Sequence, residues 1–192
     1  MVTWRSAWAI PLALLALLVG TGTVSADGST MESGTWQKHQ YSFVSMGFTS
    51  TYSCDGLAGK LKRLLLVAGA RSDVKVGGAC PRGFGRVDKL AQADLTFYTL
   101  LPNEDHKPAD GPRVDGVWRA VVFARHSPRE LALGDCELVE QFRSQLLPMF
   151  TTRNAVNQTT CIPYQDSGSV INLRFESFAA APAKAAASRS VN

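Results

Sequence analysis

Apolar side chains recur at helical spacing in two stretches of the chain. One stripe is formed by Leu57, Leu61, Leu64, Leu65 and Ala68, and the other by Val139, Phe142, Leu146 and Phe150. Residues at these spacings share one face of an amphipathic helix, so each stretch predicts a helix with one buried side. Ser53 is expected to be the N-cap of the first helix and Gly69 its left-handed C-cap. Asp135 is expected to cap the second helix, and Pro148 to kink it or end it early.

Strand-like segments surround both helices. They are residues 40–48, 73–79 and 87–101 around the first helix, and 117–124 and 170–178 around the second. Alternation within them puts Ala91, Ala93, Leu95 and Phe97 on one face of a strand, and likewise Ile171, Leu173 and Phe175. Because a helix joins the first two strands, we expect a right-handed crossover and a parallel or near-parallel pair.

The two helical stretches match each other when one is shifted by 82 positions. Trp36 then falls on Trp118, Cys54 on Cys136 and Arg71 on Arg153, and one deleted residue brings Cys80 onto Cys161. Each copy contains a strand, a helix and two further strands. We therefore predict an α+β fold of two tandem β-α-β-β repeats with pseudo-two-fold symmetry, with the helices packed on one face of a mixed sheet. A ferredoxin-like layout, in which the last strand of one unit pairs with the first of the next, is one realisation.

The segments outside the repeats differ from the repeats in composition. The predicted division is a signal peptide at 1–26, a flexible lead-in at 27–35, the first repeat at 36–101, a linker at 102–116, the second repeat at 117–178 and a disordered tail at 179–192.

The first residues have the pattern of an export signal. Arg5 precedes an apolar run from Ala7 to Val19, and Val24, Ser25 and Ala26 have the spacing that a signal peptidase recognises. Cleavage after Ala26 would place the protein in the periplasm or outside the cell. An uncleaved anchor is the alternative, although the run is shorter than the roughly 20 apolar residues of a spanning helix.

The four cysteines of an exported chain predict two disulfides. Of the three possible pairings, the repeat favours Cys54 with Cys80 and Cys136 with Cys161, because each copy would then be closed by its own bridge. A redox-active thiol at Cys54 or Cys136 is the alternative.

The formal charge of +4 is unevenly distributed. Residues 36–101 contain nine Lys or Arg residues and four Asp residues. The first repeat therefore has a possible surface for an anionic partner, consisting of Lys60, Arg63, Arg71, Lys75, Arg82 and Arg86. An ordinary solvated surface is the alternative. The partner would be an anionic envelope component or another envelope protein, and nucleic acid is not expected.

No catalytic, metal-binding or cofactor-binding motif is found. His39, His106 and His126 are far apart in sequence, and Gly83 and Gly85 fit a hairpin better than a phosphate loop. Trp36 and Trp118 are interpreted as packing residues, with ligand stacking as the alternative. Arg71 and Arg153 are expected to bond the last carbonyls of their own helices, with ligand binding as the alternative.

Two functional hypotheses follow. The first is a non-enzymatic binding or scaffolding module that uses a sheet face or the basic surface. The second is a small exported enzyme, a hydrolase or a thiol-dependent enzyme. Its site would lie between the repeats and draw on His39, His126, Asp135 or a cysteine, at least two of which would converge within hydrogen-bond distance.

Overall fold

The computed structural model describes residues 31–79, 87–103 and 112–182. Its strands and helices are, in chain order, β1 (Glu32–Met46), β2 (Tyr52–Ser53), α1 (Cys54–Ala68), β3 (Lys75–Ala79), β4 (Val87–Asp88), β5 (Leu90–Pro102), β6 (Val114–Ala124), α2 (Cys136–Gln145), β7 (Thr152–Asn157), β8 (Thr160–Ile162), β9 (Gln165–Val170) and β10 (Asn172–Ala180). The predicted signal peptide, the loop with Gly83 and Gly85, most of the linker and the tail from residue 183 lie outside these ranges.

Six strands form one sheet in the order β3-β5-β1-β6-β10-β7. All of its described pairings are antiparallel, so the predicted mixed sheet is wrong. The sheet strands β1 and β3, which precede and follow α1, do run in the same direction. However, β5 lies between them and pairs with both. The ferredoxin-like layout is also wrong, because β6 pairs with β1 rather than with β5.

The strands β1 and β6 meet only at their beginnings. Their register joins Glu32 to Gly116, Ser33 to Asp115 and Gly34 to Val114, and the strands diverge beyond these pairs. β1 starts at Glu32, earlier than the alternation predicted, because this polar segment pairs with β6. The divergence leaves each strand with a long edge that faces a helix instead of another strand.

Both helices pack on one face of the sheet and share a single core. The predicted stripes are buried, and they meet the inward side chains of the strands, among them Phe43, Leu95, Phe97, Phe123, Leu173 and Phe175. Alternation therefore identified the inward faces of β5 and β10 correctly. The general prediction of an α+β protein with helices on one face is confirmed.

The helix ends follow the sequence with one exception. The Ser53 hydroxyl accepts a hydrogen bond from the Gly56 N–H at 3.1 Å, and Gly69 ends α1 with a φ of 109°. α2 ends at Gln145, and Pro148 lies in the 3₁₀ turn at Leu147–Met149, as a proline that cannot continue a helix requires. Asp135 occupies the predicted N-cap position of α2, but its side chain makes no capping bond to the helix.

Within the described ranges, no helix has the length and apolar character needed to cross a bilayer.

Candidate functional site

One polar stripe of α2 bonds the backbone of β1 and the turn that follows it. Glu137 Oε2 accepts hydrogen bonds from the Phe48 and Thr49 N–H groups at 2.7 and 3.1 Å. Gln141 accepts from the Met46 N–H at 2.9 Å and donates to the Met46 carbonyl at 2.7 Å. Gln145 donates to the Val44 carbonyl at 3.4 Å. We call Glu137, Gln141 and Gln145 the α2 ladder.

The spacing of the α2 ladder matches that of a strand edge. Four helical residues rise about 6.0 Å, and two strand residues span about 6.8 Å. Side chains at every fourth position of α2 can therefore reach every second residue of β1, which is where the backbone groups facing one edge recur. The helix thus takes the place of a neighbouring strand at this end of β1.

Glu137 also determines the shape of the turn after β1. The carboxyl group is nearly buried, at 8% exposure of the residue, and its second oxygen contacts the Thr49 hydroxyl at 3.2 Å. The Thr49 hydroxyl accepts a hydrogen bond from the Tyr164 N–H at 3.1 Å. The turn is therefore held to the start of α2 and to the β8–β9 hairpin at the same time.

These contacts hold an exposed pair of aromatic side chains in place. The rings of Phe48 and Tyr164 lie edge to face with centroids 5.8 Å apart, and the two residues are 46% and 69% exposed. Ile162 beside them is 36% exposed. Tyr164 has a φ of 65°, a left-handed conformation that costs energy for a residue with a bulky side chain. We call Phe48, Ile162 and Tyr164 the Phe48 surface.

The predicted disulfide between Cys136 and Cys161 is present, with Cα atoms 5.6 Å apart. It joins the first residue of α2 to β8, so the hairpin that carries Ile162 and Tyr164 is covalently held to the helix. Cys54 is also disulfide-bonded. Its predicted partner, Cys80, lies outside the described residues, so that pairing stays a prediction.

A buried acidic residue links the two helices. Asp135, 2% exposed, accepts hydrogen bonds from the Tyr52 hydroxyl at 2.7 Å and from the Ala132 N–H at 2.7 Å. Lys60 of α1 forms an ion pair with it at 2.5 Å. Burial raises the pKa of Tyr52, and the neighbouring Asp135 raises it further, so the phenol stays protonated and remains a donor. Asp135 therefore has a connecting role that its position in the sequence did not reveal.

The histidines considered for an enzyme do not converge. His39 is hydrogen-bonded to the Thr99 hydroxyl at 2.8 Å and stacked on Phe97, and burial lowers its pKa. His126 lies in an exposed turn with a φ of 60°, and His106 is outside the described ranges. Among the residues described, no hydrogen bond joins either histidine to Asp135 or to a cysteine. No cluster of three potential metal ligands occurs there either.

The basic residues considered for an anionic partner are spread over different parts of the molecule. Lys60 and Arg63 of α1 bind Asp135 and Glu130 respectively, and Arg71 binds Asp73. Lys75 lies exposed on the edge strand β3, while Arg82 and Arg86 fall in the gap between the described ranges. Of the four described members of this set, Lys60, Arg63 and Arg71 thus already have a carboxylate partner.

The matched tryptophans and arginines meet on the sheet face that lacks helices. The Arg71 guanidinium lies 3.6 Å from the centroid of the Tyr98 ring and 5.6 Å from that of Trp36. Arg153 lies 4.2 Å from the Trp118 centroid and binds Glu176. Arg71 binds Asp73 instead of helix carbonyls. Each arginine covers the tryptophan of its own half, which favours packing over ligand stacking for both aromatic residues.

Sequence reasoning missed the α2 ladder, although a signal was present. Glu137, Gln141 and Gln145 recur every four residues beside the apolar stripe of the same helix. Such a polar stripe is usually solvated, and only the divergence of β1 from β6 gives it backbone groups to bond.

Comparison with protein-family models, with curated proteins and with solved structures finds no match. The class of this protein is therefore defined only by its fold and its site. In the described residues it is a disulfide-containing α+β protein with an antiparallel sheet and two helices on one face.

Proposed function

We propose that this protein is an exported, non-enzymatic binding module, and that the Phe48 surface contacts its partner. The observation that carries this proposal is the fixed exposure of the aromatic residues Phe48 and Tyr164, which are 46% and 69% exposed. Aromatic side chains at protein interfaces contribute large contact areas at a low entropic cost. A surface that is rigid before binding loses little conformational freedom when the partner arrives.

The support for a rigid surface comes from three attachments. Glu137 holds the Phe48 and Thr49 amides, Thr49 bonds Tyr164, and the disulfide anchors β8. The positive φ of Tyr164 adds a fourth argument, since a strained conformation persists only when its surroundings fix it.

The use of the buried ionisable groups supports a binding role over a catalytic one. Asp135 is occupied by Lys60 and Tyr52, and Glu137 by backbone amides. Glu137 thereby stabilises the turn that carries Phe48, and Asp135 connects α1 to the start of α2. A general acid or base would instead need a proton-transfer partner within reach of a substrate.

Export and duplication complete the proposal. The leader-like residues 1–26 and the disulfide are compatible with an oxidising compartment. A duplicated origin is supported by the sheet, in which β1 and β6 are central neighbours and both helices follow them. It is further supported by Arg71 over Trp36 and Arg153 over Trp118, since both pairs match at the shift of 82. A non-reducing peptide map is expected to join Cys54 to Cys80, and a link from Cys54 to another cysteine would contradict the duplication.

The partner is another protein of the same compartment, because the Phe48 surface is apolar while Lys60, Arg63 and Arg71 of the basic set are paired with carboxylates. A capture experiment from envelope extract tests this with Phe48→Ser and Tyr164→Ser. The matched control is Val156→Ser, which changes a valine that is 50% exposed on β7.

A partner held by the Phe48 surface is lost from both aromatic variants and kept by the control, and it stays bound between about 0.1 M and about 1 M salt. Capture that survives both aromatic substitutions but fails at high salt would contradict the proposal and favour the basic surface.

A further inference from the structure

The middle of β6 has an edge without a strand beside it. Ala124 exchanges backbone hydrogen bonds with Ser127 at 2.8 Å, and the Ser127 hydroxyl donates to the Val122 carbonyl at 3.2 Å. The backbone N–H and C=O groups of the even-numbered residues of β6 therefore point away from β10. This agrees with the pairing of Val114 and Gly116 to β1. By alternation the N–H and C=O of Ala120 and the N–H of Val122 face the same edge. Among the described residues, the backbone contacts at this edge involve only its two ends.

A groove of about 460 Å³ runs along this edge. Its walls are α1 and four consecutive residues of β6, and it is lined by Arg63, Leu66, Val67, Arg119, Ala120 and Val121 among others. Ala120 is an exposed residue on this edge. An extended chain in such a groove can add one strand to the sheet and satisfy the edge groups of β6.

The charge of the groove indicates what kind of chain fits. Its described lining includes the guanidinium groups of Arg63 and Arg119 and no carboxylate. Arg119 reaches the Val67 carbonyl of α1 at 3.2 Å. Arg63 faces Glu130 at 3.3 Å, but both side chains are about half exposed, and such surface pairs are weak. An acidic side chain on an added strand would therefore meet two positive groups beside the apolar Leu66 and Val67.

We propose that the β6 groove binds an extended, acidic peptide segment of a partner protein by strand addition. The proposal is independent of the Phe48 surface, because it rests on the edge of β6 and on α1. The bound segment pairs its backbone with Ala120 and Val122 and places carboxylates at Arg63 and Arg119.

Amide-resolved NMR of the full exported chain tests the proposal with blocked synthetic peptides. The probe is acetyl-Val-Glu-Val-Glu-Val-amide, and its matched control replaces both Glu by Lys. We expect saturable shifts at the amides of Ala120 and Val122, and binding of the Lys peptide weaker by about fivefold or more, since this peptide loses the charge contacts with both Arg63 and Arg119. Arg119→Gln is expected to remove most of this preference. The control Arg174→Gln, which changes an exposed arginine of β10, is expected to keep it.

A backbone variant tests the strand addition itself. In Ala120→Pro the lost N–H faces the groove and not β10, a position that edge strands tolerate. We expect a folded spectrum and a loss of peptide affinity of about tenfold or more. Unchanged binding in a folded Ala120→Pro variant, equal binding of the two peptides, or no saturable shift would each overturn the proposal. Contacts from the Ala120 and Val122 amides to the chain's own residues before Glu32, in the absence of peptide, would also overturn it.

Discussion

The two central strands differ in how their diverging edges are treated. At the end of β1, the α2 ladder bonds the backbone of Val44, Met46 and Phe48. Beside β6, α1 offers Arg63, Leu66 and Val67, and a groove remains between helix and strand. Shifted by 82, Glu137, Gln141 and Gln145 fall on Asp55, Gly59 and Arg63, which do not form an equivalent polar stripe. The comparison suggests that the closed edge of β1 serves stability and that the edge of β6 is available for recognition.

The largest expected effect comes from removing the acid of the α2 ladder. Glu137→Ala would leave the Phe48 and Thr49 amides without their acceptor. Because hydrogen bonds to a charged group are strong and the site is nearly buried, we expect the free energy of unfolding to fall by about 3 kcal/mol. Urea denaturation measures this. Glu140→Ala on the same helix should change stability by less than about 0.5 kcal/mol. Equal losses in the two variants would show that Glu137 has no special role.

The neutral part of the α2 ladder should contribute less. Gln141→Ala removes both bonds to the Met46 backbone, and we expect a loss of about 1.5 kcal/mol. Arg143→Ala, two residues further on an exposed side of α2, is the control in the same urea titration. A Gln141→Ala variant as stable as this control would mean that β1 needs no closure at its edge.

A substitution at Gly59, the position of α1 that corresponds to Gln141, should instead increase the free energy of unfolding. Gly59 is exposed, and a Cβ added there meets no atom within 4 Å. Gly59→Ala is therefore expected to stabilise the protein by about 1 kcal/mol through helix propensity. Thermal or urea unfolding checks the sign. A destabilised Gly59→Ala variant would reveal a close contact of α1 at this point and weaken the contrast between the two helices.

The smallest effect concerns pH. β1 carries His39, whereas the shift of 82 places Val121 at the matching position of β6. Burial lowers the pKa of His39 below its ordinary value of 6.5, so the unfolded chain takes up a proton before the folded one does. Stability should therefore decrease as the pH falls below the unfolded value, and only until the folded value is passed.

His39→Gln tests this dependence, because it keeps a polar side chain next to Thr99 without a titrating group. The difference between the urea midpoints at about pH 7.5 and about pH 5.5 should be smaller in the variant than in the parent protein. An identical pH dependence in both proteins would assign the effect to other groups.

Local patterns in the sequence predicted much of the fold. The stripe from Leu57 to Ala68 and the alternation from Ala91 to Phe97 identify buried faces because neighbouring residues repeat them at a fixed period. The caps at Ser53 and Gly69, the end of α2 before Pro148 and the Cys136–Cys161 bridge also depend on nearby chemistry or on the internal match.

The strand order could not be predicted in the same way. β1 pairs with β6 through Glu32, Ser33 and Gly34, which carry no alternation of their own. The candidate sites depend on this pairing, because it makes β1 and β6 diverge and exposes their edges to the helices. The roles of Glu137 and Asp135 likewise arise from partners 75 to 89 residues away, Lys60 and Phe48 among them.

Hydrogen exchange resolved at single amides compares the two edges most directly. If α2 closes β1 while β6 stays open, the amides of Met46, Phe48 and Thr49 should exchange slowly. Along β6, the amides of Ala120 and Val122 should exchange much faster than those of Arg119 and Val121, which face β10. Equally slow exchange at all four β6 positions in the peptide-free protein would contradict an open edge and the recognition role assigned to it.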